Sequence, residues 1–440
     1  MTLIVARKLL LMLALLGVTM MARRLGAMAG IHSILASGAL SLGFLMLFAL
    51  LGGRIAKLFG APMITGFIVS GLMAGPFVLG VVDKASADNL RLVDNLAFGV
   101  IAFYAGGEMR LARFLPKIRG IVTVIAAIIA MTLPLVFTAV FTLLYITDAL
   151  QGGFDTALAG AALISVIAIT NSPAVVIGVL NETRAKGPVA DLTLGVTVFN
   201  DVFVVILFGL AMALAGWLVP SAGGGADIPA WGAFYKIGVS FAIGAAAGGI
   251  MIAFFKVVEF NAPIFIVGAA FVLAEISQSA GTNVMLSGIT AGFIVENFST
   301  EGERLIEGLR KSSMPVFALF FSLAGQSLAI DTLSQVWVFA TAVVVTRIVG
   351  MRASVRVGVR LSGGEAALAR NAWAGFVGQA GLSLGLALMA GKQFPGWGET
   401  VKTIAVAVIV VNELIGPALM KRGLRLAGEI APEEGAGQGK

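Results

Sequence analysis

Apolar residues run in long blocks separated by short polar or glycine-rich stretches. Windows of about 20 mostly apolar residues, the length a helix needs to cross the hydrocarbon, fall at 33–51, 62–80, 91–108, 119–147, 156–180, 190–217, 232–256, 262–279, 282–298, 312–330, 335–358, 367–391 and 400–420. Thirteen transmembrane helices are therefore predicted. A further apolar stretch at 9–22 follows Arg7-Lys8 and precedes Ala27-Met28-Ala29, a small-x-small pattern compatible with a cleaved signal sequence. Arg23-Arg24 between stretch and site argue against cleavage, so residues 1–30 are read as a fourteenth helix, with a signal segment as the alternative.

Composition supports this reading. Of 440 residues, 59% are hydrophobic and only 12% charged, and mean hydropathy is +1.00. At half the usual charge content, such a chain could not cover a soluble surface, so it is an all-α polytopic membrane protein. The absence of Cys excludes thiol catalysis, Cys-ligated metals and disulfides. A single His, His32, excludes His-rich metal sites and Ser-His-Asp chemistry. With no nucleotide or metal motif either, neither an enzyme nor an ATP-driven pump is expected, and no cofactor.

The net charge of +7 would suggest nucleic acid in a soluble protein; here it is assigned to loops. With thirteen spans counted from residue 33 and the C-terminus inside, twenty Lys and Arg fall on the cytoplasmic side and seven on the outer side. The positive-inside rule then makes the C-terminus cytoplasmic, and the inner membrane of the cell is the expected location. The longest outer loop, around Ser221–Pro229, reads as a flexible glycine-rich turn, and the tail at 427–440 as disordered.

Charges at membrane depth are functional hypotheses by default. Asp201 sits about eleven residues into its span and Arg347 about twelve, which at ~1.5 Å per residue puts both near the midplane. For Asp201 the competing readings are a transport site and one half of an ion pair with Arg347. Arg347 cannot titrate at physiological pH, so it is read as structural or electrostatic support. Glu413 is read as structural. Glu275 is read as an interface or lumen-facing residue, and Glu108 and Glu296 as solvated or loop-capping.

Two spans are poor helices as written. SVIAITNSPAVVIGVL carries Thr170-Asn171-Ser172-Pro173 at its middle, where Pro173 removes a backbone donor and the polar side chains can satisfy freed carbonyls or offer oxygens to an ion. In NAWAGFVGQAGLSLGLALMAG, Gly375, Gly378, Gly381 and Gly385 surround Gln379 and Ser383. Irregular backbone survives at this depth only where protein or an aqueous cavity covers it. Each break is followed some thirty residues later by an amide–acid pair, Asn200-Asp201 and Asn412-Glu413. Interrupted helices at corresponding positions of two halves point to the binding site of a secondary transporter.

In these stretches the chain resembles the cation:proton antiporter superfamily, which includes sodium/proton and potassium efflux antiporters. The resemblance runs from about residue 33 to 426 through ITGFIVSGLMAGPFVLG, FYAGGEMRL, ITNSPAVVIGVLNE, TVFNDVFVVILFG, MLSGITAGFIVEN, FALFFSLAGQSLAID, WAGFVGQAGLSLGLAL and NELIGPALMKR. It implies inverted repeats with two crossed broken helices, a core domain (about 91–217 and 312–422), a panel domain that dimerises (about 33–80 and 232–298), and elevator-like alternating access. It also implies that Asp201, beside Asn200, binds cation or proton, that Thr170, Asn171 and Ser172 form the first crossing, and that Arg347 supports the core. Three positions depart from relatives: Asn200 stands where electrogenic members have a second acid, Val196 where members with an Asn-Asp pair often have Glu, and Gln379 where potassium efflux members tend to have an acid. Arg347's partner is left between Asp201 and Glu413.

A lone buried carboxylate can hold a proton or a monovalent cation but not both. If the loaded forms cross the membrane readily and the bare one does not, electroneutral exchange follows. Sodium bound at Asp201 is the expected cargo, with potassium as an alternative; a divalent ion would want more oxygen charge. The rival readings are a gated channel lined by Asp201 and Arg347, and a symporter whose Arg347 contacts an organic anion. Expected partners are monovalent cations, protons, lipid and a second copy of the chain, with no nucleic acid.

Overall fold

The computed structural model describes residues 2–28, 34–82, 91–107, 109–219, 230–257, 262–326, 330–379, 381–394 and 396–430, and among these there is no strand. Glu108, the loop at 221–229 and the tail beyond residue 430 lie outside the described residues. The main helices are α1 Thr2–Met28, α2 Ile34–Leu58, α3 Met63–Ala74, α4 Arg91–Gly107, α5 Ile118–Ala127, α6 Leu133–Thr147, α7 Gly153–Ala168, α8 Pro173–Thr183 and α9 Pro188–Leu218. They continue with α10 Ala230–Val257, α11 Ala262–Ser279, α12 Val284–Phe298, α13 Gly302–Gln326, α14 Ile330–Leu361, α15 Ala366–Asn371, α16 Gly381–Gln393 and α17 Trp397–Leu426. Each of the thirteen predicted segments coincides with one helix or with a pair interrupted at its middle. Seven described segments are long and apolar enough to cross a membrane, and five shorter apolar helices accompany them. The stretch at 9–22 belongs to α1, whose Met12, Leu15 and Leu16 pack with the cluster around Phe44, Leu45 and Phe48 of α2.

The helices pack in two groups. α2, α3, α4, α10, α11, α12 and α13 form one; α5 to α9 and α14 to α17 form the other. In the first, α4 and α12 lie backbone to backbone, since a Cβ on Gly106 would fall 2.0 Å from Ile289 O. The sequence-based division put 91–108 and 312–330 with the core. Their helices, α4 and α13, instead make their main contacts with α12, α11, α3 and each other, inside the first group.

Proline sets the local form of the second group. Pro134 cannot donate to the helix ladder, and the turn just before α6, Ile128–Thr132, is π-helical. Ala127 O accepts from Ser354 Oγ of α14 (3.0 Å), and Ser354 Oγ lies 2.8 Å from Thr132 Oγ1. A polar knot thus ties the π turn to the helix that carries Arg347.

Candidate ion-binding site

The first broken helix ends at Ala168, runs irregularly through 169–172 and restarts at Pro173, the N1 position where a missing N–H costs nothing. Ser172 caps the new helix by accepting from Val175 N (3.2 Å). The second break is a 3-10 turn, Ala372–Phe376, followed by non-helical 377–379, with helix resuming at Gly381. The two breaks touch through backbone: Ser172 N donates to Gly378 O (3.0 Å). Only glycine permits this approach. A Cβ on Gly378 would sit 2.8 Å from Val175 Cγ1, and one on Gly416 of α17 would sit 2.5 Å from Gly378 Cα.

Broken helices leave orphan carbonyls at their C-terminal ends, where the macrodipole is negative. Arg347 serves both ends at once. Its Nε donates to Ala168 O, Nη1 to Val377 O (2.8 Å), and Nη2 to Thr170 O (2.8 Å) and Phe376 O (2.7 Å). The side chain is 0% exposed, and among the described residues neither Asp201 nor Glu413 forms an ion pair with it. The expected carboxylate partner is thus replaced by backbone dipoles, so Asp201 is not half of an ion pair with Arg347.

A second network binds side chains of the crossings. Gln379 Nε2 donates to Ile167 O (2.9 Å) and to Thr170 Oγ1 (2.8 Å), and its Oε1 accepts from Asn412 Nδ2 (2.7 Å). Thr170 Oγ1 also donates to Ile167 O (2.8 Å) and pairs with the Ser383 hydroxyl. That hydroxyl is already saturated, so Thr170 has no free oxygen to offer an ion. Asn171 turns its amide nitrogen to Phe376 O (2.8 Å) and Thr170 O (3.2 Å), and its oxygen accepts from Asn200 Nδ2 (3.3 Å); the reverse orientation would face oxygen against carbonyls. Asn200 Nδ2 also donates to Ile169 O (2.9 Å).

Asp201 stands apart. It lies near the middle of the 31-residue α9, is 8% exposed, and its Oδ1 is buried with no hydrogen-bond partner. Asn200 Oδ1 likewise has none. Beside these helices a cavity of about 770 Å³ opens between the two groups, lined by Ile64 and Phe67 of α3, Ile177 of α8, Leu194 of α9 and Phe317 of α13. On α9 its deepest lining residue is Leu194, seven residues before Asp201, or about 10 Å along the helix. Its rim carries Glu182, Arg184, Lys186 and Asp191, at the end of the bundle where Lys117 pairs with Asp191 and Lys421 lies 3.6 Å from Glu182.

Residues 43–421 match the family model described as sodium/hydrogen exchanger, transmembrane. The chain belongs to that family. It is accordingly a membrane-embedded cation/proton antiporter and not an enzyme. No curated protein matches it. Among solved structures it is similar to the sodium/proton antiporter MjNhaP1 of Methanocaldococcus jannaschii at pH 8, with 16% identity and a TM-score of 0.62 over 90% of this chain and 99% of that one. An electron-microscopy map of the same antiporter aligns with a TM-score of 0.66 at 16% identity, covering 89% and 98%. These likenesses establish a shared fold.

Within the exchanger, one residue escaped sequence reasoning and another, Glu296, was expected to be solvated or loop-capping. Thr197, one turn before Asp201 on the same helix, is fully buried with an unpartnered Oγ1; the i, i+4 spacing was the available signal. Glu296 is not solvated: it is buried and bonded to Arg110 Nε (2.6 Å), 186 residues away in sequence. Glu275 is exposed on α11.

Proposed function

We propose that this exchanger swaps one sodium ion for one proton at Asp201, electroneutrally and by alternating access. The observation that carries the reading is the bare carboxylate oxygen: Asp201 Oδ1 is buried with nothing bonded to it, next in sequence to Asn200, which bonds the first break. An oxygen in that state gains from either a proton or a cation, and one unit of charge admits one of them at a time. Asn200 supplies an unpartnered amide oxygen in place of a second acid, and Thr197 a hydroxyl. Thr170, Asn171 and Ser172 shape the crossing, while Arg347, Gly378, Gln379 and Ser383 hold it together. Sodium is favoured by the family's description and by the relative's name.

α5 to α9 with α14 to α17 form the moving core, and α2 to α4 with α10 to α13 the panel, which dimerises. The cavity between them is the aqueous approach from one side, stopping short of Asp201 in this state. The excess of Lys and Arg in the loops assigned to the same side as the C-terminus supports a cytoplasmic C-terminus, in the inner membrane.

The test is sodium-driven proton movement in proteoliposomes carrying an internal pH dye, with and without clamped membrane potential, for wild type and Asp201→Asn. Exchange that the clamp leaves unchanged and the mutation abolishes is expected. Full activity in Asp201→Asn would sink the assignment. Current without coupled proton movement would mean a channel, and transport only with an organic anion a symporter. Exchange driven by potassium but not sodium would reverse the choice of cation.

A further inference from the structure

Asp201 is not the only carboxyl buried in the core without a cation beside it. Glu413 of α17 is 3% exposed, and its Oε1 is buried with no hydrogen-bond partner. Its surroundings repeat those of Asp201. In the first half of the chain, Asn200 precedes the acid and donates to Ile169 O of the first break. In the second, Asn412 precedes the acid and donates to Gln379 Oε1 of the second break. Both asparagines are fully buried, and both keep an unpartnered side-chain oxygen. Asn412 and Gly416, one turn apart, both meet the second break, and Glu413 flanks the same face at i, i+3 from Gly416.

We infer that Glu413 is the repeat mate of Asp201: a second proton-binding carboxyl, whose proton titrates with the exchange site but is not exchanged for sodium in each cycle. The inference rests on Asp201 being the exchange site. A proton rather than a metal ion follows from the oxygens available. The unpartnered buried side-chain oxygens on α17 among the described residues are Asn412 Oδ1 and Glu413 Oε1, whereas a dehydrated monovalent cation needs several to replace its water.

The charged groups on the helices packed against α17 leave Glu413 uncompensated. Arg347 on α14 is spent on four carbonyls, and Glu182 on α8 sits at the cavity rim near Lys421. Asp155 of α7 is exposed, as are Arg352 and Arg360 of α14 and Arg370 of α15, and Arg356 is half-buried further along α14. On α17 itself, Glu399 and Lys402 pair with each other near its start. Ionisation of Glu413 changes the charge of the core that also carries Asp201 by one unit, and the proposal requires the two protonations to be linked, which the pH dependence of exchange reads.

Exchange rate against pH in proteoliposomes decides the matter, with wild type, Glu413→Gln, Glu413→Asp and Asp201→Asn. Glu413→Gln is expected to keep sodium-driven, potential-independent exchange, while the limiting slope of log rate against pH falls from about two to about one. Glu413→Asp is expected to keep the wild-type slope. In infrared difference spectra taken across pH, one protonated-carboxyl band should survive Asp201→Asn and vanish in Glu413→Gln. An unchanged slope with an unchanged infrared spectrum in Glu413→Gln overturns the proposal. So does wild-type exchange that responds to potential and loses that response in Glu413→Gln, because the proton would then be carried. If Glu413→Gln does not fold, wild type and Glu413→Asp still decide: no titrating band beyond that of Asp201 refutes the site. Full exchange in Asp201→Asn would refute the exchange site instead, with the infrared band still reporting on Glu413.

Discussion

Arg347 and Asp201 are both ionisable, both buried near the middle of long helices, and both carried on helices that meet the breaks, yet their surroundings are opposite. Arg347 donates to four carbonyls drawn from both crossings and leaves none of the four orphaned. Asp201 has an oxygen with no partner at all. A charge fully bonded to backbone is architecture, because removing it frees polar groups: Ala168 O and Val377 O have no other side-chain donor, and Thr170 O and Phe376 O would keep only Asn171. A charge left bare destabilises the fold and is worth retaining only for what it binds. The contrast divides the core into a bonded frame and the site proposed at Asp201, and substitutions ranked by their effect on thermal stability test where the line falls.

The largest loss is expected from Arg347→Met. Ala168 O and Val377 O would lose their side-chain donor, at about 1–3 kcal/mol each, and Thr170 O and Phe376 O would keep only Asn171, a destabilisation on the order of 4 kcal/mol. Little folded protein should be recovered, and any that is should melt far below wild type in detergent. Arg347→Lys should recover only part of the difference, because an ammonium lacks the planar fork that reaches both breaks. A Met variant that melts like wild type but no longer transports would break the comparison and move Arg347 into the ion site.

Next comes Gly416→Ala. Its new Cβ would lie 2.5 Å from Gly378 Cα, a backbone atom that cannot rotate away. Overpacking of this kind costs typically 1–3 kcal/mol, and here it would also push α17 off the second crossing. Both melting temperature and exchange rate should fall, with the loss shared across cations rather than confined to sodium. An alanine variant with wild-type melting would show that the crossing has slack.

The breaks themselves were legible because proline and clustered glycine are chemical exceptions within apolar helices, and Asp201 was legible as a charge at mid-span. The partners of Arg347 were not. Sequence reasoning looks for a carboxylate to match a guanidinium, whereas the acceptors here are carbonyls that every residue possesses; only the folding of two breaks against one another collects them. Thr170 misled for a related reason: its hydroxyl is a plausible ion ligand by type, but Gln379, 209 residues later, already occupies it. The group membership of α4 and α13 is likewise a matter of contacts between distant segments, and hydropathy alone carries no sign of it.

A smaller effect should follow from Ser354→Ala. Ser354 lies two turns from Arg347 on α14 and bonds both the Ala127 carbonyl and Thr132. Losing those bonds should cost about 1 kcal/mol, a modest drop in melting temperature. If Arg347 depends on this knot for its position, exchange should slow more than the stability loss explains, and the frame would extend to the π turn.

The smallest stability effect is expected at Asp201→Asn, although it should abolish exchange. The amide keeps the shape of the carboxylate and removes a charge that has no partner, so unfolding should be unchanged to within about 0.5 kcal/mol or shifted towards greater stability. The sharper measurement is melting with and without sodium. Ligand that binds only the folded state raises stability by an amount set by its concentration relative to Kd, so wild type should melt higher in sodium and Asp201→Asn should not. A mutant that is markedly less stable without sodium would mean the carboxylate has an architectural role after all. A mutant that keeps the sodium-dependent rise would put the cation elsewhere, and the division between a bonded frame and a bare site would have to be redrawn.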